Sequence, residues 1–418
     1  MDIRQKILSD PLNKWVFDNS PKETYLVGGY MRDLLRGETS DDKDFITKGD
    51  AEEIALEAAK KFDGKVIDLH NKQTLRVVLK EKRFIDFSAL KNDLMDDLQS
   101  RDFTINAIAW SPSAGIMSPE NCREDVENRV VRHIKPQNLL DDPLRIFRAY
   151  RLSAQLNFKI QFDTRRLLKK FSKKIESVAA ERITEELFKL LNNKNALKYI
   201  KLCVEDNVLS RLVPLTNYNL DINLHTIDLC DKLLQECSHE KKRINMHDYL
   251  WTECSQGLRN FGFIRFYLLL RKFDEKAQRI YERGHLYNIL NKCKILRIST
   301  RIQKSFCSME KAESMCNGRM TDKRLYKIFR TAGDCIYEIA IVLAIKKTGS
   351  RSSIIDKAEE FVYKRNNTLI NGHEIRKILG IESGRVIGEI KDRVFEHQFR
   401  GNIAKRREAR EFIIRNFT

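Results

Sequence analysis

Near its N-terminus the chain reads YLVGGYMRDLLRG, from Tyr25 to Gly37. Tyr25–Val27 is short and apolar, which is typical of a buried strand. Gly28 and Gly29 let the backbone come close to a phosphate, and the N-terminus of the helix that follows favours an anion. Arg32, one turn into that helix, could add a cation. The segment therefore predicts a strand, a turn and a helix, where the turn is either a phosphate site or a plain connection.

Two aspartates follow in the segment SDDKDFITKG, Ser40–Gly49. In a strand, Asp42 and Asp44 point to the same side and lie about 7 Å apart. Two carboxylates on one face repel each other unless a cation lies between them, and Mg²⁺ prefers carboxylate and phosphate oxygens. The pair indicates either a catalytic Mg²⁺ site or a solvated acidic turn. A third acid, Asp86 in RFIDFSA, either completes that site as a catalytic residue or faces solvent on an edge strand.

The pattern of apolar residues changes along the chain. Short β-branched or aromatic runs predict strands at Tyr25–Val27, Asp44–Thr47, Lys65–Asp68, Leu75–Leu79 and Phe84–Phe87. Helical spacing predicts helices at Ala51–Phe62, Leu144–Leu156, Arg165–Phe171, Ala180–Leu191, Ala196–Glu205, Ile227–Glu236 and Phe263–Phe273. The predicted fold class is therefore α+β, with an N-terminal mixed-sheet head followed by an elongated all-α extension.

Composition narrows the class of protein. The chain has 418 residues, of which 42% are hydrophobic and 33% charged, a composition that excludes a membrane protein and argues against a wholly disordered one. The longest apolar run, Ile339–Ile345, is far shorter than the roughly 20 residues that span a bilayer. The opening MDIRQKILSD lacks a secretory pattern, and the nine cysteines form no CxxC pair, which favours a reduced, cytoplasmic protein. A net charge of +18 favours a polyanionic partner, with nucleic acid first.

Four motifs occur in a fixed order, namely GGYMRDLLRG, DDKDF, SRDFTINAIA and DDPLRIFRAYRLSAQLNF. Together they resemble the motifs of the class II tRNA nucleotidyltransferases, which are the CCA-adding enzymes and their CC-adding and A-adding relatives, with bacterial poly(A) polymerases close by. ERITEELFKLL is similar to the helix that follows them in the family. The resemblance implies a nucleotidyltransferase head over residues 1–140, a base-reading neck over 141–195, a body over 196–320 and a tRNA-binding tail over 321–418.

The resemblance also implies individual roles around a nucleoside triphosphate. Asp42 and Asp44 would hold two Mg²⁺ ions, one lowering the pKa of the attacking 3′-hydroxyl and the other stabilising pyrophosphate. Contacts to phosphate and sugar would come from Gly28, Gly29, Arg32, Arg101, Asp102 and Asn106. Arginine suits phosphate and a carboxylate suits a ribose hydroxyl. Ser100 stands where the family usually has a first arginine, so no contact is carried over to it.

The segment DDPLRIFRAYR suggests how a base is read without a template. Pro143 fits the first position of a helix, which places Asp142 at the N-cap and Arg145 one turn on. A carboxylate accepts from the exocyclic amino group of cytosine or adenine, and a guanidinium donates to the ring acceptor beside it. Uracil and guanine present a carbonyl instead. The resemblance implies this reading role; the alternative is a capping aspartate beside a surface arginine.

Further basic residues follow in the same helix and beyond it. Arg148 could brace the reading face, whereas Arg151, also assigned to the nucleotide site, is rotated away from Asp142 and fits an RNA or structural contact as well. Dense basic runs at Arg151–Lys174 and Arg400–Arg410 predict either RNA backbone contacts or solvated helix faces. Aromatic residues are sparse among them, which favours a folded RNA recognised by shape.

The predicted function is the template-independent transfer of nucleotides from CTP and/or ATP to the 3′ end of tRNA. The alternatives are a bacterial poly(A) polymerase and a non-catalytic RNA-binding protein. Six residues, Ser88–Asp93, separate the predicted strand at Phe87 from the segment LMDDLQSRDFT. Family members that add all three nucleotides commonly have a longer loop there, and the resemblance implies that this loop helps the switch from C to A. A short connection has little freedom, so we expect CC addition, with A addition and full CCA addition as alternatives.

Overall fold

The structure is a computed structural model that describes residues 2–21, 23–69, 74–80, 83–212, 220–238, 244–271, 296–382 and 384–417. The chain divides into two compact units. The first unit is Met1–Glu186 with Lys194–Leu212, and the second is Leu187–Asn193 with Val213–Thr418. None of the helices in the described ranges has the length and apolar character that crossing a bilayer requires. The four-part division into head, neck, body and tail stays a prediction.

A seven-stranded mixed sheet forms the centre of the first unit. Its strands are β1 (Thr24–Val27), β2 (Asp42–Thr47), β3 (Lys65–Asp68), β4 (Thr74–Val78), β5 (Phe84–Ala89), β6 (Ala109–Ser111) and β7 (Gly115–Met117). Their order is β3-β4-β5-β2-β1-β6-β7, in which β2 and β5 are parallel and the other pairs antiparallel. The five strands predicted from the sequence are confirmed within two residues at each end. The sequence missed β6 and β7, which have three residues each and extend the sheet beyond β1.

Alternation along the strands separates two faces of this sheet. Phe45, Val77, Ile85 and Phe87 lie on one face and are almost completely buried. The Phe45 and Phe87 rings stack with their centroids 5.7 Å apart. The residues between them in each strand therefore point to the other face.

Helices complete the first unit. They are α1 (Ile3–Leu8), α2 (Pro11–Asn19), α3 (Gly29–Leu35), α4 (Ala51–Lys61), α5 (Leu94–Ser100), α6 (Cys122–Glu127), α7 (Pro136–Asp141), α8 (Leu144–Leu156), α9 (Phe162–Phe171), α10 (Ala180–Leu191), α11 (Ala196–Glu205) and α12 (Leu209–Leu212). Helix α10 continues into the second unit, and two short strands, β8 (Val130–Val131) and β9 (Lys159–Ile160), pair in parallel. The predicted bounds of α8, α10 and α11 are confirmed.

The second unit is mainly helical. Its helices are α13 (Leu220–Ser238), α14 (Ile244–Trp251), α15 (Asn260–Leu270), α16 (Thr300–Ser314), α17 (Asp322–Ala332), α18 (Ile336–Lys346), α19 (Arg351–Asn366), α20 (Gly372–Leu379), α21 (Arg385–Phe399) and α22 (Arg406–Phe417). A hairpin with a two-residue turn, which the sequence missed, joins β10 (Glu253–Ser255) to β11 (Leu258–Arg259). The helix predicted at Phe263–Phe273 corresponds to α15, which begins earlier, at Asn260, and ends at Leu270. Residues 272 and 273 lie outside the described ranges.

Candidate active site

Three aspartates converge on the face of the sheet opposite the Phe45 and Phe87 rings. Asp42 and Asp44 alternate along β2, and Asp86 is the direct partner of Asp44 on β5. Since β5 lies between β4 and β2, it is an inner strand, and Asp86 is only 8% exposed. The alternative that places Asp86 in solvent on an edge strand is therefore wrong. The structure brings the three acids together as the predicted catalytic group requires.

Arg76 holds Asp86 in place. It lies opposite Asp86 on β4, where its Nε donates to Oδ1 at 2.8 Å and its Nη2 to Oδ2 at 2.6 Å. Sequence reasoning missed Arg76, although alternation in TLRVV sets it on the face opposite Leu75 and Val77. Because both oxygens of Asp86 accept from this guanidinium, its direct catalytic role stays a prediction.

The charges of Asp42 and Asp44 are poorly compensated. Burial raises the pKa of Asp44 to about 7, and the nearby charges of Asp42 and Asp86 add to the rise. Burial and Asp86 also raise the pKa of Asp42. A pair of carboxylates that resists ionisation fits a divalent cation, which would remove the repulsion. In the described ranges no three His, Cys, Asp or Glu side chains converge on one ion position, so substrate oxygens would have to complete the coordination.

Gly28 makes room for the face of the sheet that carries Asp42, Asp44 and Asp86, which we call the acidic face. Its φ is +77°, and a Cβ there would lie 3.2 Å from both Asp44 Oδ2 and Arg101 Nη1. The Gly28 N–H donates to the carbonyl of Ile108 at 3.0 Å. This amide is therefore not open to a phosphate, contrary to the sequence-based expectation, and what Gly28 supplies is space. Gly29 starts α3, and a Cβ there would approach Arg32 Nη2 to 3.3 Å.

A chain of hydrogen bonds joins the residues assigned to phosphate and sugar. Arg32 Nη1 donates to Asn106 Oδ1 at 2.7 Å, and Asn106 Nδ2 donates to Asp102 Oδ1 at 3.1 Å. Arg148 donates to Asp102 Oδ2 through Nε at 3.0 Å and Nη2 at 2.8 Å. Burial alone would raise the pKa of Asp102, but Arg148 and Asn106 lower it. Asp102 therefore stays ionised and fixes the two side chains beside it.

Arg148 and Arg151 thus have partners that the sequence did not predict. Arg148 braces Asp102 rather than Asp142. Arg151 donates to Glu186 Oε2 at 2.7 Å, and Glu186 is only 4% exposed. The sequence left an RNA contact and a structural contact open for Arg151, and the structure shows the structural contact, with Glu186.

Arg101 lies next to the acidic face. Its Nη1 donates to the backbone carbonyl of Asn106 at 3.2 Å and its Nε to Asp97 Oδ2 at 3.1 Å. Ser100 precedes it, and its hydroxyl donates to the carbonyl of Asp97 at 2.7 Å, at the C-terminal end of α5. Ser100 is therefore a local structural residue here, whereas the guanidinium of Arg101 lies beside Gly28 and its charge lowers the pKa of Asp44.

The pair assigned to base reading lies just before and within α8. This helix begins at Leu144, and Pro143, which was expected at its first position, precedes it in a helical conformation. Asp142 Oδ1 still accepts from the Leu144 N–H at 3.4 Å, while its Oδ2 accepts from Arg182 Nη2 at 2.9 Å. Arg182 was missed because its partner lies 40 positions away.

Arg145 is fixed by main-chain carbonyls. Its Nη1 donates to Ser100 O at 2.8 Å and to Asn138 O at 3.2 Å. The carbonyls hold the guanidinium through one nitrogen, so the rest of its donor edge remains for a ligand. Asp142 and Arg145 are both partly exposed.

Comparisons with known proteins agree on one family. Residues 24–132 match the family described as “Poly A polymerase head domain”, and residues 157–220 match “Probable RNA and SrmB- binding site of polymerase A”. The CC-adding tRNA nucleotidyltransferase of Thermus thermophilus is 25% identical over 415 residues, with 94% of each chain covered. A CCA-adding enzyme of Coxiella burnetii is 32% identical over 206 residues, which cover 46% of this chain and 54% of the relative.

Comparison with solved structures finds enzymes of the same kind. The CCA-adding enzyme of Thermotoga maritima, solved in complex with tRNA, superposes with a TM-score of 0.72 at 23% identity, with 100% of this chain and 99% of that chain covered. This likeness shows the fold, and the sequence matches show where the head and the RNA-binding segment lie. The chain therefore matches the poly(A) polymerase head over residues 24–132 and the RNA-binding segment over residues 157–220, and over most of its length it is similar to tRNA nucleotidyltransferases.

Proposed function

We propose that this protein adds nucleotides from CTP, and from ATP if it adds A, to the 3′ end of tRNA without a template, and that it is a CC-adding enzyme. The observation that carries the proposal is the paired, poorly compensated carboxylates of Asp42 and Asp44, which lie beside Gly28 and Arg101 on a shared face. A passive RNA-binding surface has no need for clustered carboxylates, because in their ionised form they repel the RNA backbone. A cytoplasmic location stays a prediction.

The residues around the acids divide the work of binding a triphosphate. Asp42 and Asp44 would hold Mg²⁺, which when bound supplies Lewis-acid polarisation of the attacking hydroxyl and of the departing pyrophosphate. Arg101 and Arg32 would contact the polyphosphate. Each is held in place by a nearby aspartate, Arg101 by Asp97 and Arg32 by Asp33. Asp102 orients Arg148 and Asn106 before the nucleotide arrives, and such prior orientation lowers the cost of reaching the transition state.

Base choice follows from Asp142 and Arg145. Asp142 offers an acceptor to the amino group that cytosine and adenine share, and Arg145 offers a donor to the adjacent ring atom. A carbonyl at that position, as in uracil or guanine, would face a carboxylate without a proton between them. This pair therefore selects C and A over U and G by hydrogen bonding alone.

The choice of CC addition is supported by the connection between β5 and α5. It comprises residues 90–93, two fewer than the sequence suggested, because β5 continues to Ala89. Both ends are tied: the Leu90 N–H donates to Thr47 O at 2.7 Å, and Asp93 accepts from the Met95 N–H at 2.9 Å. A loop this short and tied has little freedom to reshape a pocket between C and A. The relatives of this chain include both CC-adding and CCA-adding enzymes.

The test is incubation with Mg²⁺, CTP and ATP on tRNA transcripts that end before the CCA, after its second C or after its A. We expect two added nucleotides on the first transcript and none on the others, with products resolved to single-nucleotide length. Three added nucleotides would make the protein a CCA-adding enzyme, and addition of A to the second transcript alone would make it A-adding. Long A tracts on unrelated RNA would indicate a poly(A) polymerase, and no incorporation at all would overturn the enzymatic proposal.

A further inference from the structure

A cavity of about 750 Å³ opens in the second unit, where the chain leaves α16 and enters α17. Four basic residues line it, namely Arg319, Lys323, Arg324 and Lys327, and we call it the basic cavity. Among the described residues that line it, none has an acidic or an aromatic side chain. Arg319 belongs to the connecting segment, whereas the other three lie in the first turns of α17.

Arg324 holds the connecting segment in shape. Its guanidinium donates to the backbone carbonyls of Asn317 and Arg319, so it closes the segment against the first turn of α17. Gly318 lies beneath it with φ at +84°, and a Cβ there would lie 2.7 Å from Arg324 Nη1. Only glycine fits both the backbone conformation and the guanidinium. The wall of the cavity is therefore organised before any ligand arrives.

The other three cations have no acid to neutralise them within the described ranges. No ion pair joins Arg319, Lys323 or Lys327 to a carboxylate there. The nearest acid in sequence, Asp322, is paired with Lys357 Nζ at 3.1 Å. Like charges gathered in one concave surface repel each other, and an anion in the cavity would remove that repulsion.

The Arg400–Arg410 run, a second basic stretch of the same unit, differs because three of its arginines are paired with acids. Arg400 pairs with Glu396 at 3.5 Å, Arg407 with Glu411 at 2.9 Å, and Arg406 with Glu374. Much of its charge is thus neutralised by the fold. The sequence singled out this run, whereas Arg319, Lys323 and Lys327 of the basic cavity have no ion pair in the part of the chain that the structure describes.

We propose that the basic cavity binds backbone phosphates of the RNA substrate, a proposal that rests on the proposed function for the identity of that RNA. Phosphate oxygens suit arginine and lysine together, and a lining without aromatic side chains gives a base nothing to stack on. The cavity therefore positions RNA without reading its sequence.

The experiment uses the full chain with Lys323→Glu and Lys327→Glu combined. Both side chains are exposed, so the fold should persist. Affinity for a tRNA transcript lacking its CCA end is measured at several salt concentrations. We expect affinity to fall about tenfold or more, and the slope of log affinity against log salt to fall by about two, or one for each phosphate that is no longer neutralised. In steady-state addition assays, the KM for tRNA should rise more than the KM for CTP.

The matched control combines Lys60→Glu and Lys61→Glu, which makes the same change of charge on exposed lysines of α4. It should leave the salt slope close to the wild-type value. Gly318→Ala keeps every charge but disturbs the wall of the cavity, and it should also weaken RNA binding.

Two results would overturn the proposal: wild-type RNA affinity in the Lys323 and Lys327 double variant, or an equal loss in the Lys60 and Lys61 control. If the wild-type protein binds tRNA but adds no nucleotide, the proposed function fails while the salt slopes still decide the role of the cavity.

Discussion

Asp44 in the first unit and Glu313 in the second are both largely buried carboxylates, yet their pKa values move in opposite directions. Burial raises the pKa of Asp44 to about 7, and its acidic neighbours raise it further. Burial also acts on Glu313, but Arg271, Lys346 and the Tyr267 hydroxyl overcome it and lower the pKa to about 2. Arg271 Nη1 lies 2.8 Å and Lys346 Nζ 2.5 Å from Glu313 Oε1.

The difference separates two uses of a buried charge. Glu313 is paired with cations of its own unit, so the folded protein stabilises its ionised form. Asp44 faces Asp42 and Asp86, and Arg101 and Arg76 offset only part of the effect of burial and of these charges, so its ionised form is poorly stabilised by the protein. Poorly paired acids in a shared face mark a ligand site, and well paired acids mark structure. Each of the following experiments acts on one side of this contrast.

The largest effect is expected from Asp44→Asn. The substitution removes a carboxylate that would bind metal, and transition-state stabilisation of several kcal/mol should go with it, lowering the rate of nucleotide addition by about a thousandfold or more. Affinity for tRNA should stay near the wild-type value, as measured by filter binding. Asp41→Asn, on the exposed neighbour, is the control. Near-normal incorporation by Asp44→Asn would remove Asp44 from the catalytic group.

Glu313→Gln should have its effect on stability instead. It leaves the buried Arg271 without its carboxylate partner, and losing one member of such a pair costs about 3–5 kcal/mol. Urea unfolding followed by circular dichroism measures the loss, with the exposed Glu382→Gln as the control. An unfolding free energy equal to that of the wild type would show that Glu313 is not a structural charge.

A smaller effect, on selectivity, is expected at the base-reading pair. Asp142→Ala or Arg145→Ala should weaken the preference for C and A over U and G by about 1–3 kcal/mol, the value of one good base-edge contact. Competition between CTP and UTP in single-nucleotide addition measures it. Should both variants keep full selectivity and lose only thermal stability, Asp142 would be a helix cap and no more.

The smallest effect concerns pH. In the folded metal-free protein Asp44 keeps its proton up to about pH 7, whereas in the unfolded chain it is already ionised above its ordinary value of 3.8. Stability therefore falls as pH rises, by about 1 kcal/mol between pH 6 and 8 for this one group. Thermal unfolding in EDTA should show the fall, and Asp44→Asn should remove it.

Glu313 should give the reverse slope at acid pH. Its pKa is lowered on folding, so its contribution is present above its ordinary value of 4.5 and is lost as pH falls towards about 2. A pH profile in which Asp44→Asn changes the acid limb rather than the neutral one would contradict the contrast between the two residues.

How far the sequence predicted this site depends on how local each contact is. Alternation in single strands was enough to predict that Asp42 and Asp44 share a face, and it could have found Arg76. The partnership of Asp102 with Arg148 spans 46 positions, and that of Arg151 with Glu186 spans 35, so no local pattern contains them. The basic cavity was invisible for another reason: Asp322 interrupts its cations in the sequence, and only the pairing of Asp322 with Lys357 leaves them unneutralised.

The parallel pairing of β2 with β5 also has a consequence for the order of folding. Strands β1 and β2 are neighbours in the sequence and pair antiparallel, whereas β2 and β5 meet only after the chain between Asp44 and Asp86 has turned back. Pairings between distant segments pay a larger loop-closure entropy and form slowly. A chain that has formed only β1 and β2 carries Asp42 and Asp44 without Asp86 or Arg76 beside them. The complete acidic face is therefore a property of the finished sheet, and the repulsion that Asp86 adds to that between Asp42 and Asp44 arises only at the step that joins β5 to β2.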